Sequence, residues 1–294
     1  MKTLREEFLR KSKLPHIWCP GCGNGIVTAA LVRAIDKVGF EQKDVAVVSG
    51  IGCSSRATGY LNFNTLHTTH GRALAFATGL KMAQPGLKVF VVMGDGDATA
   101  IGGNHLIHAA RRNLDLNAII VNNHIYGMTG GQHSPLTPEG KKATTAPGGT
   151  LERSFDILEL VRSAGATFGA RGSAAQPRLL ERLIVSASQN RGFSVVEALS
   201  TCPVSYGRRN RLGTPVEMLQ ELKERSVSQE KLRQKEREEG SSKAGDGSSE
   251  GEELIERDES DIIPVGIIYS RSAPEFTESY YSMVEKERGG NQDQ

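Results

Sequence analysis

Lys88-Val89-Phe90-Val91-Val92-Met93-Gly94-Asp95-Gly96-Asp97 passes from a short apolar run directly into two Gly-Asp pairs. A continuous apolar run of this length, stopped by turn residues, reads as a strand buried on both faces, as in a parallel sheet. Val45–Ser49, Asn117–Asn122 and Ser194–Ala198 read the same way. Between and around them, helical patterning covers Gly25–Lys37, Arg72–Met82, Gly103–Arg112, Phe155–Ala164 and Pro177–Asn190. Strands alternating with helices predict an α/β fold, a doubly wound parallel sheet. Right-handed crossovers then bring all strand C-terminal ends to one edge, where open α/β sheets bind ligands. Cys53, Gly94 to Asp97, Asn122-Asn123 and Cys202 follow the four strands in turn, so residues scattered in sequence are expected to converge there.

The chain has 294 residues, enough for one large α/β domain or two small ones, and a formal net charge of +2. That balance argues for neither nucleic acid nor a strongly acidic partner. No run approaches the ~18–20 apolar residues of a membrane helix. The basic N-terminal residues lack the apolar core of a secretory signal. With few cysteines and no regular disulfide spacing, the expected location is cytoplasmic. Residues 1–215 are expected to form the main binding domain. Residues 216–261 read as a helical, then charged and partly disordered insertion, its charges alternating in sign around 228–258. Residues 262–294 are expected to be a C-terminal extension packing on the core or on a partner, with Ile262–Ser270 a possible strand. Thr129–Arg153 reads as a long site-covering loop.

The only cysteines are Cys19, Cys22, Cys53 and Cys202, each among small or turn-forming residues: Cys-Pro-Gly-Cys-Gly-Asn-Gly, Gly-Ile-Gly-Cys-Ser-Ser and Thr-Cys-Pro. Such backbone folds closely around a sulfur and aims amide N–H groups at it, which suits thiolates on a metal or a sulfide cluster. Taken alone, the four sulfurs leave a structural zinc and an iron–sulfur cluster about even. Asp95, at one strand end, and Asn123, at the next, have the hard oxygen donors that grip Mg²⁺ while it clamps a diphosphate. His105 and His108 share a helix face, and no metal is assigned to them.

These residues bring in a family. Gly94-Asp95-Gly96 followed by Asn122-Asn123 resembles the thiamine-diphosphate motif. Trp18-Cys19-Pro20-Gly21-Cys22-Gly23, Gly50-Ile51-Gly52-Cys53-Ser54, His70-Gly71-Arg72-Ala73 and Ile125-Tyr126-Gly127-Met128-Thr129-Gly130-Gly131-Gln132 resemble the β subunit of 2-oxoacid:ferredoxin oxidoreductases. The resemblance covers residues 14–215 and implies a thiamine-diphosphate-binding fold. It implies that Asp95, Asn123 and the Ile125 carbonyl hold Mg²⁺, and that Ile51, Gly52, Cys53, Ser54, Gly96, Asp97, Gly127 and Met128 line the thiamine diphosphate. It also implies one [4Fe–4S] cluster on Cys19, Cys22, Cys53 and Cys202, which makes zinc the weaker choice.

The implied reaction is oxidative decarboxylation of a 2-oxoacid with coenzyme A, electrons leaving through the cluster to ferredoxin, or the reverse, fixing carbon dioxide. An α subunit is the implied partner and source of a missing catalytic glutamate. The Tyr126 to Gln132 text is closest to enzymes acting on 2-oxoglutarate; pyruvate or branched-chain 2-oxoacids are the alternatives. Arg56 is weighed evenly as a substrate-carboxylate contact or a surface arginine, with His70, Arg72 and His133 as weaker candidates. A non-oxidative thiamine-diphosphate decarboxylase or synthase with a structural zinc is the rival enzyme class, and an iron–sulfur carrier or zinc-stabilised binding protein the rival without one.

Overall fold

The computed structural model describes residues 6–242 and 262–290. The strands are β1 Val45–Ser49, β2 Asn64–His67, β3 Lys88–Gly94, β4 Asn117–Asn122, β5 Ile125–Tyr126, β6 Gln132–His133, β7 Phe168–Ser173, β8 Ser194–Leu199, β9 Ser226–Ser228 and β10 Ile263–Ser270. The helices are α1 Asn24–Val38, α2 Ala57–Tyr60, α3 Ala73–Ala83, α4 Asp95–Thr99, α5 Gly103–Arg112, α6 Ile157–Ala164, α7 Pro177–Gln189, α8 Arg208–Asn210, α9 Pro215–Arg225, α10 Gln229–Ser242 and α11 Phe276–Gly290.

Eight strands form one sheet in the order β2-β1-β3-β4-β8-β7-β10-β9. Pairing is parallel from β2 through to β7, as the apolar runs predict; β10 turns antiparallel on β7, and β9 runs parallel to β10. The central strands are buried on both faces, and alternate residues serve opposite layers. Phe90 and Val92 pack with Leu31, Ile35, Leu180 and Ile184 of α1 and α7. Val89, Val91 and Met93 pack with Leu74, Leu106 and Val161 of α3, α5 and α6 on the other side.

The four strands read from sequence are present with their ends moved by at most one residue, and Ile262–Ser270 is β10. The fold adds β2, β7 and β9, which apolar runs do not announce. β2 is a polar, largely exposed edge strand. In β7, glycines interrupt the apolar signal because neighbours press on them: a Cβ at Gly169 would lie 2.3 Å from the Tyr269 ring, and one at Gly172 would lie 3.1 Å from Leu180 and Leu183. Residues 216–242 are mainly helical, in α9 and α10; the rest of the charged stretch, 243–261, lies outside the described residues. Among the described residues no helix is long and apolar enough to cross a membrane.

Candidate active site

The strand ends deliver the site. β3 finishes in extended backbone at Gly94, and the chain turns at once into the short helix α4, which starts with Asp95. Asp95 is 2% exposed, and the Ser134 hydroxyl, from the long loop, donates to its Oδ2. Burial pushes the Asp95 carboxyl up to about 7, against the pull of Ser134 and of backbone N–H groups. A cation beside it would restore the charged form.

One strand over, β4 ends in two asparagines with different tasks. Asn122 turns into the protein, where its Nδ2 donates to Glu197 at 2.8 Å. Asn123 faces the same cavity as Asp95. His124 follows at φ +62°, a left-handed conformation uncommon outside glycine, and swings the chain into β5. Its Nδ1 meets the Leu136 carbonyl at 2.9 Å, tying the turn to the long loop. Tyr126 folds back over α4, donating to the Gly96 carbonyl at 2.9 Å. A Cβ on Gly96 would lie 2.2 Å from the tyrosine ring, so only glycine permits this closure.

Between these elements lies a cavity of about 470 Å³. Its walls include all eight positions expected to line a cofactor (Ile51, Gly52, Cys53, Ser54, Gly96, Asp97, Gly127 and Met128) and the three expected to hold an ion, Asp95, Asn123 and Ile125. Asp97 ties two rim loops together: its Oδ1 accepts from the Gly71 N–H at 2.6 Å and His70 Nδ1 at 2.8 Å in one, and from the Ile51 N–H at 3.4 Å in the other. Its Oδ2 is buried without a partner. Burial raises this carboxyl too, opposed by the Gly71 N–H and His70.

The four cysteines gather beside this cavity, none in a disulfide. The Trp18 indole donates to the Cys53 carbonyl at 2.7 Å, and the Thr201 hydroxyl donates to the Gly21 carbonyl at 2.9 Å, so the Cys19–Cys22 loop is fastened to both other cysteine segments. Gly21 is left-handed (φ +78°), with Pro215 where a Cβ would sit. Burial, then the neighbouring sulfurs, pushes the Cys53 thiol up to about 11. Cys22 and Cys202 are raised chiefly by burial. Donors nonetheless converge on the sulfurs: Asn24 Nδ2 lies 3.1 Å from Cys22 Sγ, the Met128 N–H serves Cys53, and the Ser205 and Tyr206 N–H groups serve Cys202. A Cβ on Gly127, itself in the cavity wall, would stand 3.5 Å from both Cys53 Sγ and Cys202 Sγ.

The substrate-contact candidates divide. His70 lines the cavity. His133 does not; its ring meets Thr145 Oγ1 at 2.6 Å and Glu152 at 3.3 Å, within the long loop. Arg56 lies outside the cavity wall, with its buried Nε unpartnered. Arg72 meets His105 Nε2 at 2.8 Å. Sequence reasoning missed Ser134, Tyr126 as a wall, and Glu197; a charged residue inside the apolar run of β8 was the one available signal for the last.

Residues 50–198 match the family model described as thiamine pyrophosphate enzyme, C-terminal TPP binding domain. The chain is 49% identical over 283 residues to the 2-oxoglutarate synthase subunit KorB of Methanothermobacter marburgensis, covering 96% of this chain and 93% of that one. It is 56% identical over 224 residues to the subunit of that name from Archaeoglobus fulgidus, covering 76% and 82% of the two chains. A solved structure of 2-oxoglutarate:ferredoxin oxidoreductase from Magnetococcus marinus, with 2-oxoglutarate, coenzyme A and succinyl-CoA bound, superposes with a TM-score of 0.79 at 29% identity, over 97% of this chain and 91% of that one. The likeness therefore runs beyond residues 14–215, and with the strand-end cavity and the four gathered thiols it makes this chain a member of the 2-oxoacid:ferredoxin oxidoreductase β-subunit family, among the KorB subunits.

Proposed function

We propose that this chain is the β subunit of an enzyme that oxidatively decarboxylates 2-oxoglutarate with coenzyme A, giving succinyl-CoA and carbon dioxide and passing electrons to ferredoxin. The substrate follows the names of its relatives. One observation carries the redox part: Cys53 and Gly127 belong to the cavity wall, and a Cβ on Gly127 would stand 3.5 Å from both Cys53 Sγ and Cys202 Sγ, so two of the four sulfurs lie against that wall. A non-oxidative thiamine enzyme has no use for thiols there.

The residues fit the implied groups. Asp95, Asn123 and the Ile125 carbonyl supply hard oxygen donors of the kind Mg²⁺ takes alongside diphosphate oxygens. Cys19, Cys22, Cys53 and Cys202 supply the four thiolates of a [4Fe–4S] cluster.

When bound, thiamine diphosphate supplies the nucleophilic carbon and electron sink for decarboxylation, and the cluster a one-electron outlet. This chain's residues orient and enclose. Tyr126 and Gly96 close one wall, while Asp97 fixes His70 at the rim with Nδ1 engaged, leaving Nε2 as the ring's free nitrogen for an incoming polar group. The Met128, Ser205 and Tyr206 N–H groups stabilise negative charge on the sulfurs. Of the substrate-contact candidates only His70 lines the cavity; Arg56, three residues beyond Cys53, lies outside its wall, so a cation for the distal carboxylate of 2-oxoglutarate is assigned to the α subunit. The catalytic glutamate is assigned to the α subunit.

The test is metal and sulfide analysis of protein purified without oxygen, followed by reduction of ferredoxin by the assembled αβ enzyme. About four irons and four sulfides per β chain are expected, with a markedly higher kcat/KM for 2-oxoglutarate than for pyruvate. One zinc without sulfide would remove the redox reading; equal kcat/KM values would remove the substrate preference alone.

A further inference from the structure

Glu197 is out of keeping with its strand. β8 is buried along its whole length, and Glu197 is 3% exposed. A carboxylate in such a place destabilises the fold unless it is paired and fully hydrogen-bonded. Its two oxygens face opposite neighbours. Oε2 meets Arg171 Nε at 2.6 Å on β7, where the two residues are in register. Oε1 accepts from Asn122 Nδ2 at 2.8 Å, at the end of β4. Arg171 extends the line to Asp156, the N-cap of α6, at 3.3 Å. An ionic chain thus crosses the sheet and ends on the side-chain amide of Asn122.

Both ends of that amide are engaged. While Nδ2 is held by Glu197, Oδ1 accepts from the His124 N–H at 3.2 Å. The residues that follow Asn122 make a sharp turn: Asn123 faces the cavity, His124 is left-handed at φ +62°, and Ile125 faces the cavity again. Stability alone does not account for a charge at residue 197, because replacing such a pair by apolar residues of similar volume is often neutral or stabilising; Glu197, Arg171, Asn122 and His124 instead line a second cavity beside the first. A charged line that terminates on one amide, beside an unusual turn, is the pattern of a support for the residues in front of it.

We infer that Glu197 is a positioning residue for the ion-binding end of the cavity: aligned by Arg171, it orients Asn122, whose hold on the His124 N–H sets the turn that presents Asn123 and the Ile125 carbonyl. The inference rests on the Mg²⁺ and thiamine-diphosphate reading of the cavity. Glu197 is not in the cavity wall and, on this account, touches no ligand, so it acts through Asn122; its charge also bears weakly on Asp95, a contribution that Glu197→Gln removes while keeping the hydrogen bond.

The experiment uses the assembled αβ enzyme stripped of thiamine diphosphate and Mg²⁺. Mg²⁺ is titrated at a fixed excess of thiamine diphosphate, following calorimetric heat or tryptophan fluorescence, and the thermal midpoint of each stripped protein is recorded alongside. Wild-type enzyme must bind in a Mg²⁺-dependent way; if it does not, the cavity reading fails and this inference falls with it. Given that binding, Asn122→Ala is expected to weaken Mg²⁺ about 10–100-fold, the range for loss of a ligand-orienting partner. Glu197→Gln keeps an acceptor for Asn122 and is expected to stay within about threefold of wild type, rescuing what Glu197→Leu loses. The pair Arg171→Met with Glu197→Leu is the decisive variant. Removing both charges restores the thermal midpoint relative to Glu197→Leu alone, yet Mg²⁺ affinity stays low. Wild-type Mg²⁺ affinity in that double variant, or in Asn122→Ala, overturns the inference and leaves an ordinary buried ion pair.

Discussion

Asn24 commits its side-chain amide to a sulfur, with Nδ2 3.1 Å from Cys22 Sγ in a position 1% exposed. Hydrogen bonds to ligand sulfur stabilise the more negative, reduced form of an iron–sulfur cluster and raise its potential. Asn24→Leu is therefore expected to lower the midpoint potential, read by EPR-monitored redox titration, with iron content unchanged; an unmoved potential would show that this bond sets nothing. Asp95→Ala should abolish Mg²⁺-dependent thiamine-diphosphate binding and spare the cluster, checked by calorimetry and iron analysis on one sample. Gly96→Ala would force a methyl to within 2.2 Å of the Tyr126 ring. Its expected effect is a cofactor affinity lower by about tenfold or more, through a displaced wall and not a lost ligand. The residues proposed as donors were legible in the sequence because their chemistry is local: a carboxylate between glycines, paired asparagines, cysteines in turns. Ser134, Tyr126 and Glu197 were not, because each acts through a partner distant in sequence.

The elements repeat that division. β1, β3, β4 and β8 announce themselves because both faces are buried, whereas β7 hides behind glycines that exist to admit Tyr269, Leu180 and Leu183. Asn113 shows how these pieces are joined. It ends α5 in the left-handed conformation at φ +49°, its Oδ1 accepts from the Phe193 N–H at 2.8 Å and the Thr167 hydroxyl at 2.9 Å, and its Nδ2 donates to the Pro274 carbonyl at 3.0 Å. One side chain thus fastens the entries to β7 and β8 and the approach to α11. Asn113→Ala combines left-handed strain with buried groups left unpaired, an expected loss of about 3 kcal/mol in chemical denaturation. Glu275 docks α11 in the same manner, accepting from the Asp115, Thr277 and Glu278 N–H groups at 2.8–2.9 Å.

At the scale of the molecule, the chain supplies a sheet edge with a cavity, four thiols beside it and the proposed ion donors, and among the described residues no glutamate lines that cavity. Purified alone and reconstituted with iron, sulfide, Mg²⁺ and thiamine diphosphate, it is expected to turn over nothing, with ferredoxin reduction appearing only when the α subunit is added; turnover by the chain alone would refute the division of labour. The alternating pattern made the doubly wound sheet legible, while the antiparallel return of β10 was not, since nothing local to Ile263–Ser270 states which strand it will join. The provenance of the thiols has one more consequence. They come from the loop before α1, the turn after β1 and the segment after β8, and they meet only because the intervening strands are already stacked in order. Under the proposed cluster reading, insertion is therefore expected to follow folding, with the exposed Cys19 the sulfur first met from outside. Chain produced in iron-starved cells is then expected to be folded and colourless, read by circular dichroism and visible absorption; a misfolded product would count against this order of events.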